Sequence, residues 1–153
     1  MQKILFICHG NICRSPMAEF VMKDIVKNNN LETQIYISSA ATSTEELGND
    51  IHPGTKNILL QKNIPFEKRR ARQVTKADYK EYDYLVVMDE NNIRNLKRII
   101  GEDRDKKVYR LLDFTDRAGD SIADPWYTGN FVLTYEDVLY GCNGLLGFLR
   151  KKI

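Results

Sequence analysis

The chain has 153 residues, with 23 basic and 21 acidic side chains and a formal net charge of +2. A hydrophobic content of 42% with 29% charged residues excludes a disordered chain, and the length suits one compact domain, residues 1–153. The near balance of charge gives no reason to expect nucleic acid or a membrane surface as partner, and no run approaches the ~20 apolar residues of a membrane span.

In chain order, the apolar run Lys3 to Ile7 predicts a first strand, and Ser15 to Asn28 a helix with Met17, Phe20, Val21 and Ile25 along one face. Gln34 to Ser38 alternates as a strand does, and His52 to Lys62 resumes helical spacing. The stretch Tyr84 to Met88 is nearly all apolar, as a strand covered on both faces should be. Asp89 can cap a following helix from Glu90 to about Ile100, which Gly101 ends. Lys107 to Leu112 predicts a fourth strand. A long polar loop follows from Asp113 to Asn130, and a closing helix from Tyr135 to Lys151, weakened by Gly141, Gly144 and Gly147. Strands alternating with helices predict an α/β domain around a parallel sheet.

In such a sheet ligands bind beyond the carboxyl ends of the strands. The first of these ends carries Cys8-His9-Gly10-Asn11-Ile12-Cys13-Arg14-Ser15, with Pro16 in the first turn of the helix, where proline is tolerated. Loop amides and a helix N-terminus together make a pocket for a phosphate dianion, and the same field favours the thiolate of a cysteine at its base. Arg14 offers a planar fork to two phosphate oxygens, and Gly10 and Asn11 are the residue types best able to take the positive φ of a loop curling round an anion. A bare C-x5-R occurs by chance in roughly one such chain in five; the strand before it, the helix after it and the Gly-Asn within it raise its weight.

Asp124-Pro125-Trp126-Tyr127 lies in the long loop, on the same sheet edge as the Cys8 loop. Phosphoryl transfer to a thiolate needs a proton donor for the leaving oxygen, a role open to the Asp124 carboxyl, with Trp126 and Tyr127 walling an aromatic slot. Taken alone, this segment reads equally as a turn with packed aromatics. Cys8 and Cys13 are too few for a zinc site, and no metal or cofactor is expected. The three cysteines (Cys8, Cys13, Cys142) are an odd number, and the N-terminal apolar run is too short for a signal peptide. Both point to a reduced, cytoplasmic chain. The basic cluster Lys68 to Arg72 reads as a solvated loop, His52 as structural or exposed, Asp89 as a simple cap, and Tyr79, Tyr82 and Tyr84 as packing residues.

With its C-x-G-N-x-C-R-S-P loop and its D-P-aromatic-aromatic segment, the sequence resembles the low-molecular-weight protein tyrosine phosphatases. The likeness extends through Ser38-Ser39-Ala40-Ala41, Ala71-Arg72-Gln73-Val74-Thr75 and Met88-Asp89-Glu90-Asn91-Asn92. The resemblance implies a flavodoxin-like, doubly wound sheet of four parallel strands in order 2-1-3-4, flanked by helices, and two-step hydrolysis of phosphotyrosine without metal. It implies Cys8 as nucleophile forming a phosphocysteine, Arg14 and the loop amides holding the phosphoryl oxygens, and Asp124 as acid and then base. It further implies Ser15 bonded to the Cys8 sulfur, Asn11 and Ser39 holding the loop in shape, Cys13 able to pair with Cys8 under oxidation, and Tyr127 in the aromatic slot. Phosphotyrosine proteins are the implied substrates and inorganic phosphate the product.

Two features depart from the family. His9 stands at the slot lip beside Ile12, where an apolar residue is common, and Thr42 to Leu47 lacks an aromatic and carries Glu45 and Glu46, which disfavour acidic phosphopeptides. Three alternatives stay open. An arsenate reductase of the same fold would need relay cysteines that Tyr79 to Asn92 does not contain. A protein-arginine phosphatase often has threonine where Ile12 stands. A non-catalytic phosphate-binding module would need neither thiolate nor acid.

Overall fold

The computed structural model describes residues 1–153. Four strands, β1 (Gln2–Cys8), β2 (Ile35–Ala41), β3 (Tyr84–Val87) and β4 (Val108–Arg110), form one parallel sheet in the order β2-β1-β3-β4. Helices α1 (Arg14–Asn28), α2 (Pro53–Gln61), α3 (Lys76–Glu81), α4 (Glu90–Ile100), α5 (Pro125–Thr128) and α6 (Phe131–Arg150) connect and flank them. This is the doubly wound α/β arrangement expected from the alternation of segments.

β1 lies at the centre because it is apolar on both faces. Ile4, Phe6 and Cys8 pack toward α1, α2 and α6, while Leu5 and Ile7 pack toward α3 and α4, with β3 splitting its side chains in the same way. Burying each large side chain of this kind contributes about 1.5–3 kcal/mol, so the sheet centre is the most strongly held part of the molecule. The carboxyl end of β1, where the Cys8 loop begins, is therefore a fixed platform.

Several boundaries differ from the sequence expectation. The fourth strand is only Val108–Arg110, because Leu111–Phe114 turns away as a 3-10 turn against α6. The stretch from 113 to 130 is not all loop: α5 lies within it, capped by Asp124. The last helix starts at Phe131 rather than Tyr135, with Asn130 accepting from the Leu133 N–H. Helix α3 was not anticipated at all.

Two of the three glycines of α6, Gly141 and Gly144, are contact residues. A Cβ on Gly141 would lie 2.5 Å from Leu111 Cγ, and one on Gly144 would lie 2.4 Å from the Phe114 carbonyl oxygen. Their bareness lets α6 press onto the 3-10 turn. No helix is long and apolar enough to cross a membrane.

Candidate active site

The loop from Cys8 to Arg14 leaves β1 and enters α1 without a capping side chain: Cys13 at the N-cap makes no side-chain cap bond, and the first turn holds no acidic residue. Pro16 has no N–H and that of Ser15 turns to the Cys8 sulfur, so in this turn the Arg14 N–H is the one left to face an anion in the loop. Asn11 takes φ of 59°, the left-handed turn anticipated for this position.

Cys8 is 3% exposed, and its sulfur sits at the focus of the loop. Ser15 Oγ lies 3.1 Å from Cys8 Sγ, and the backbone N–H groups of Asn11 and Ser15 donate to it at 3.3 and 3.4 Å. Three hydrogen-bonding groups of the loop thus surround the sulfur. Asn11 sits behind the loop: its Nδ2 donates to Ser15 Oγ at 2.7 Å and to Ser39 Oγ at 2.9 Å, and Ser39 in turn donates to Glu19 Oε1 at 2.5 Å. A buried chain of hydrogen bonds thus runs from Glu19 to the Cys8 sulfur.

Arg14 is 2% exposed. Its Nη1 donates to Asp89 Oδ2 at 2.7 Å and to the Ile122 carbonyl at 2.8 Å, while Nη2 stands 3.5 Å from Asp124 Oδ2. Burial works against its charge, but Cys8, Asp89 and Asp124 outweigh burial and push its pKa up, so the guanidinium stays charged. Asp89, read from sequence as a simple cap, does cap α4 through the Asn92 N–H at 2.8 Å, and it also holds Arg14. Its sequence signal was only that of a cap, because the arginine it holds lies 75 residues away.

Asp124 accepts from the Trp126 N–H at 3.0 Å, which fixes its carboxyl at the start of α5. The cleft above Cys8 is lined by Gly10, Ile12, Cys13 and Arg14 on the loop side and by Asp124, Trp126 and Tyr127 opposite. His9 and the acidic residues Glu45 and Glu46 complete its rim. His9 Nε2 and Glu45 Oε2 are 2.9 Å apart, so the two departures from the family pattern meet at one lip. Tyr127 is 83% exposed and Trp126 57%, so both rings present most of their surface to solvent at the cleft. His52 stacks on Phe131 at 5.2 Å and meets Trp126 edge-on at 5.7 Å, so its structural role includes bracing that wall.

The sequence-derived residues therefore gather in one place: Cys8, His9, Gly10, Ile12, Cys13, Arg14, Asp124, Trp126 and Tyr127 around the cleft, with Asn11, Ser15 and Ser39 behind it. Cys13 is a buried thiol whose pKa is pushed up to about 12, first by burial and then by the neighbouring Cys8 and Asp124. The third cysteine, Cys142, is fully buried on α6, and burial alone pushes its pKa up. One reading is corrected in part: Lys68 and Arg70 of the basic cluster are solvated, but Arg69 and Arg72 are not. Arg72 forms a two-pronged pair with Asp78 at 3.0 and 3.2 Å, and Arg69 donates to the Asn11 carbonyl of the anion loop. The arginines were misread because their partners lie on other segments.

Comparison with known proteins agrees with this geometry. A family model described as low molecular weight phosphotyrosine protein phosphatase matches residues 3–153. The chain is 38% identical to the low molecular weight protein-tyrosine-phosphatase YfkJ of Bacillus subtilis (strain 168), across 99% of this chain and 98% of that one. It is 36% identical to PtpA of Staphylococcus aureus (strain MRSA252), across 99% and 96%. The crystal structure of YfkJ superposes with a TM-score of 0.95 over 99% of this chain and 96% of that one, at 38% identity. The low molecular weight protein tyrosine phosphatase of Streptococcus pyogenes gives 0.86 at 42% identity, over 97% and 93%. With the family model spanning nearly its whole length, this chain belongs to the low molecular weight phosphotyrosine protein phosphatases.

Proposed function

We propose that the chain hydrolyses phosphotyrosine in proteins, and small aryl phosphates, through a phosphocysteine on Cys8, as one domain of residues 1–153. The observation that carries this reading is the convergence of the Cys8 sulfur, the buried Arg14 guanidinium and the Asp124 carboxyl on one cleft. The Cys8 thiolate attacks phosphorus and the bond from phosphorus to the aryl oxygen breaks, while Asp124 delivers a proton to that oxygen. Arg14 and the loop amides hold the three phosphoryl oxygens through the transfer. Water then attacks the phosphocysteine, Asp124 takes its proton, the sulfur–phosphorus bond breaks and inorganic phosphate leaves. The Ser15 hydroxyl, 3.1 Å from Sγ, stabilises the departing thiolate. Under oxidation Cys13 is the partner for a protective disulfide with Cys8.

The rivals are less well supported. Arsenate reduction needs cysteines that relay a disulfide, and Cys142 lies in the core behind α1, its sulfur 3.9 Å from the Ala18 carbonyl. Ile12 presents an apolar wall to the cleft, which suits an aromatic ring better than a guanidinium. The test is turnover of p-nitrophenyl phosphate, a phosphotyrosine peptide and a phosphoarginine peptide by wild type, Cys8→Ser and Asp124→Ala, with EDTA present. The expected result is activity on the first two substrates, none with Cys8→Ser, and a fall of about 10²- to 10⁴-fold with Asp124→Ala. A Cys8→Ser protein that keeps its rate, or a preference for phosphoarginine, overturns the reading.

A further inference from the structure

The carbonyl groups of the anion loop are tied down on its outer side. Cys8 O accepts from the Thr42 N–H at 3.0 Å, and His9 O accepts from the Ser43 N–H at 3.0 Å. Ile12 O accepts from the His52 N–H at 2.9 Å, and Cys13 O accepts from Thr55 Oγ1 at 3.1 Å. Among these tied carbonyls that of Asn11 is held by a cation, because Arg69 Nη2 donates to it.

In a trans peptide unit the C=O and the N–H point in opposite directions, and the chain has no cis bonds. A carbonyl drawn outward therefore aims the next residue's N–H inward. For the Asn11 carbonyl that N–H belongs to Ile12, which lines the cleft, whereas neither Asn11 nor Arg69 does. Asn11 sits at φ 59°, a turn that asparagine accepts, so what fixes the orientation of this peptide unit is the bond on its carbonyl.

Arg69 is not placed as a solvated arginine would be. Its Nη1 donates to the Asn49 carbonyl at 3.3 Å, its backbone N–H donates to Asp50 Oδ1 at 3.2 Å, and its Nε is buried with no partner. It forms no ion pair. Burial works against its charge and no carboxylate pairs with it, and its two hydrogen bonds go to the Asn49 and Asn11 carbonyls, of which only the second belongs to the anion loop.

We propose that Arg69 is a positioning residue that locks the Asn11–Ile12 peptide, so that the Ile12 N–H stays aimed at the phosphoryl group. It acts from outside the cleft and touches no substrate atom. The inference rests on the phosphatase reading only in taking phosphate as the occupant of the loop.

The test is a titration of ¹⁵N-labelled protein with inorganic phosphate, followed at the loop amides, together with phosphate inhibition and steady-state kinetics on p-nitrophenyl phosphate. In Arg69→Met the Ile12 amide is expected to lose its response to phosphate while the Gly10 and Arg14 amides keep theirs. Phosphate affinity and kcat/KM should both fall by about tenfold or more, since losing one such donor outright costs on the order of 10²–10³. Arg69→Lys, which keeps the cation but not the fork, should be intermediate. A wild-type Ile12 response in Arg69→Met, or loss of response at all loop amides together, overturns the proposal. Should Arg69→Met not fold, Arg69→Lys decides alone: a selectively weakened Ile12 response supports the lock, and an unchanged one overturns it. Phosphate binding read at the amides does not need turnover. A wild type that binds phosphate but hydrolyses nothing would sink the hydrolase reading and leave this one standing.

Discussion

The Asp89 carboxylate holds the Arg14 guanidinium at 2.7 Å while capping α4 through its other oxygen. The two duties are separable by mutation. Asparagine caps a helix as well as aspartate does but carries no charge. Asp89→Asn should therefore leave thermal stability nearly unchanged and lower kcat/KM by roughly tenfold or more, as expected for a lost charge-assisted bond to the oxyanion-gripping residue. Asp89→Ala should add about 1 kcal/mol of destabilisation from the missing cap. Equal stability loss in both variants, measured by urea unfolding, would show that the charge and not the cap supports the fold.

Thiol chemistry should separate the three cysteines. Cys13, with its pKa pushed up to about 12, and the fully buried Cys142 stay as thiols near neutral pH. Iodoacetate at pH about 7 should label only Cys8 in the native protein, read by peptide mass, and all three after denaturation. Because Cys13 must lose its proton to attack an oxidised Cys8, formation of the Cys8–Cys13 disulfide after peroxide should accelerate as pH rises. Labelling of Cys13 at the rate of Cys8 would contradict this.

At the lip, the His9–Glu45 pair and Glu46 make one side of the cleft acidic. Glu45→Lys should raise kcat/KM for a phosphotyrosine peptide with flanking acidic residues, relative to a neutral one, by several-fold at low salt, with the ratio shrinking as salt is added. An unchanged ratio would mean that peptides leave the cleft on another side.

Acid stability has an identifiable contributor in Asp50. Burial alone would raise its pKa, but Lys56 at 2.7 Å and the N–H groups of Ile51 and Arg69 outweigh burial and lower it from 3.8 to about 2. A carboxylate lowered in the folded state contributes stability that is fully present above its ordinary value and is lost as pH falls toward the folded one. Wild type should therefore lose stability between those two values more steeply than Asp50→Asn. Parallel curves from denaturant unfolding at each pH would show that Asp50 contributes nothing there.

The glycines of α6 should behave oppositely. Gly147 has open space around it, so Gly147→Ala should stabilise by about 0.5–1 kcal/mol. Gly141 faces Leu111, which is fully buried, so Gly141→Ala should cost about 1–3 kcal/mol. Similar effects at both positions, in thermal unfolding, would mean that α6 can shift off the turn.

The sheet and most of the cleft were legible because they rest on local patterns: apolar runs for four strands, and a loop whose Gly10, Asn11 and Arg14 lie within one short stretch of sequence. Helix α3 was missed because Lys76–Glu81 has no apolar stripe. Its one local signal is the capping pair Thr75 and Asp78. The 3-10 turn at Leu111–Phe114 was absorbed into a strand, since a short apolar run suits either until α6 is seen packing on it. Arg69 and Asp89 escaped for a common reason. Their partners, Asn11 and Arg14, lie 58 and 75 residues away, and nothing in their own neighbourhoods marks that contact.

The separation of 110 residues between Arg14 and Asp124 has a consequence for how the protein is made. A ribosome delivers the aspartate 110 residues after the arginine of the loop. Any nascent chain or fragment ending before that point lacks the aspartate, the aromatic walls and α6, which packs on α1. Such a species carries the thiol without the carboxylate that faces it across the cleft. The order of synthesis thus withholds the Asp124 side of the cleft until the rest of the fold is available to receive it.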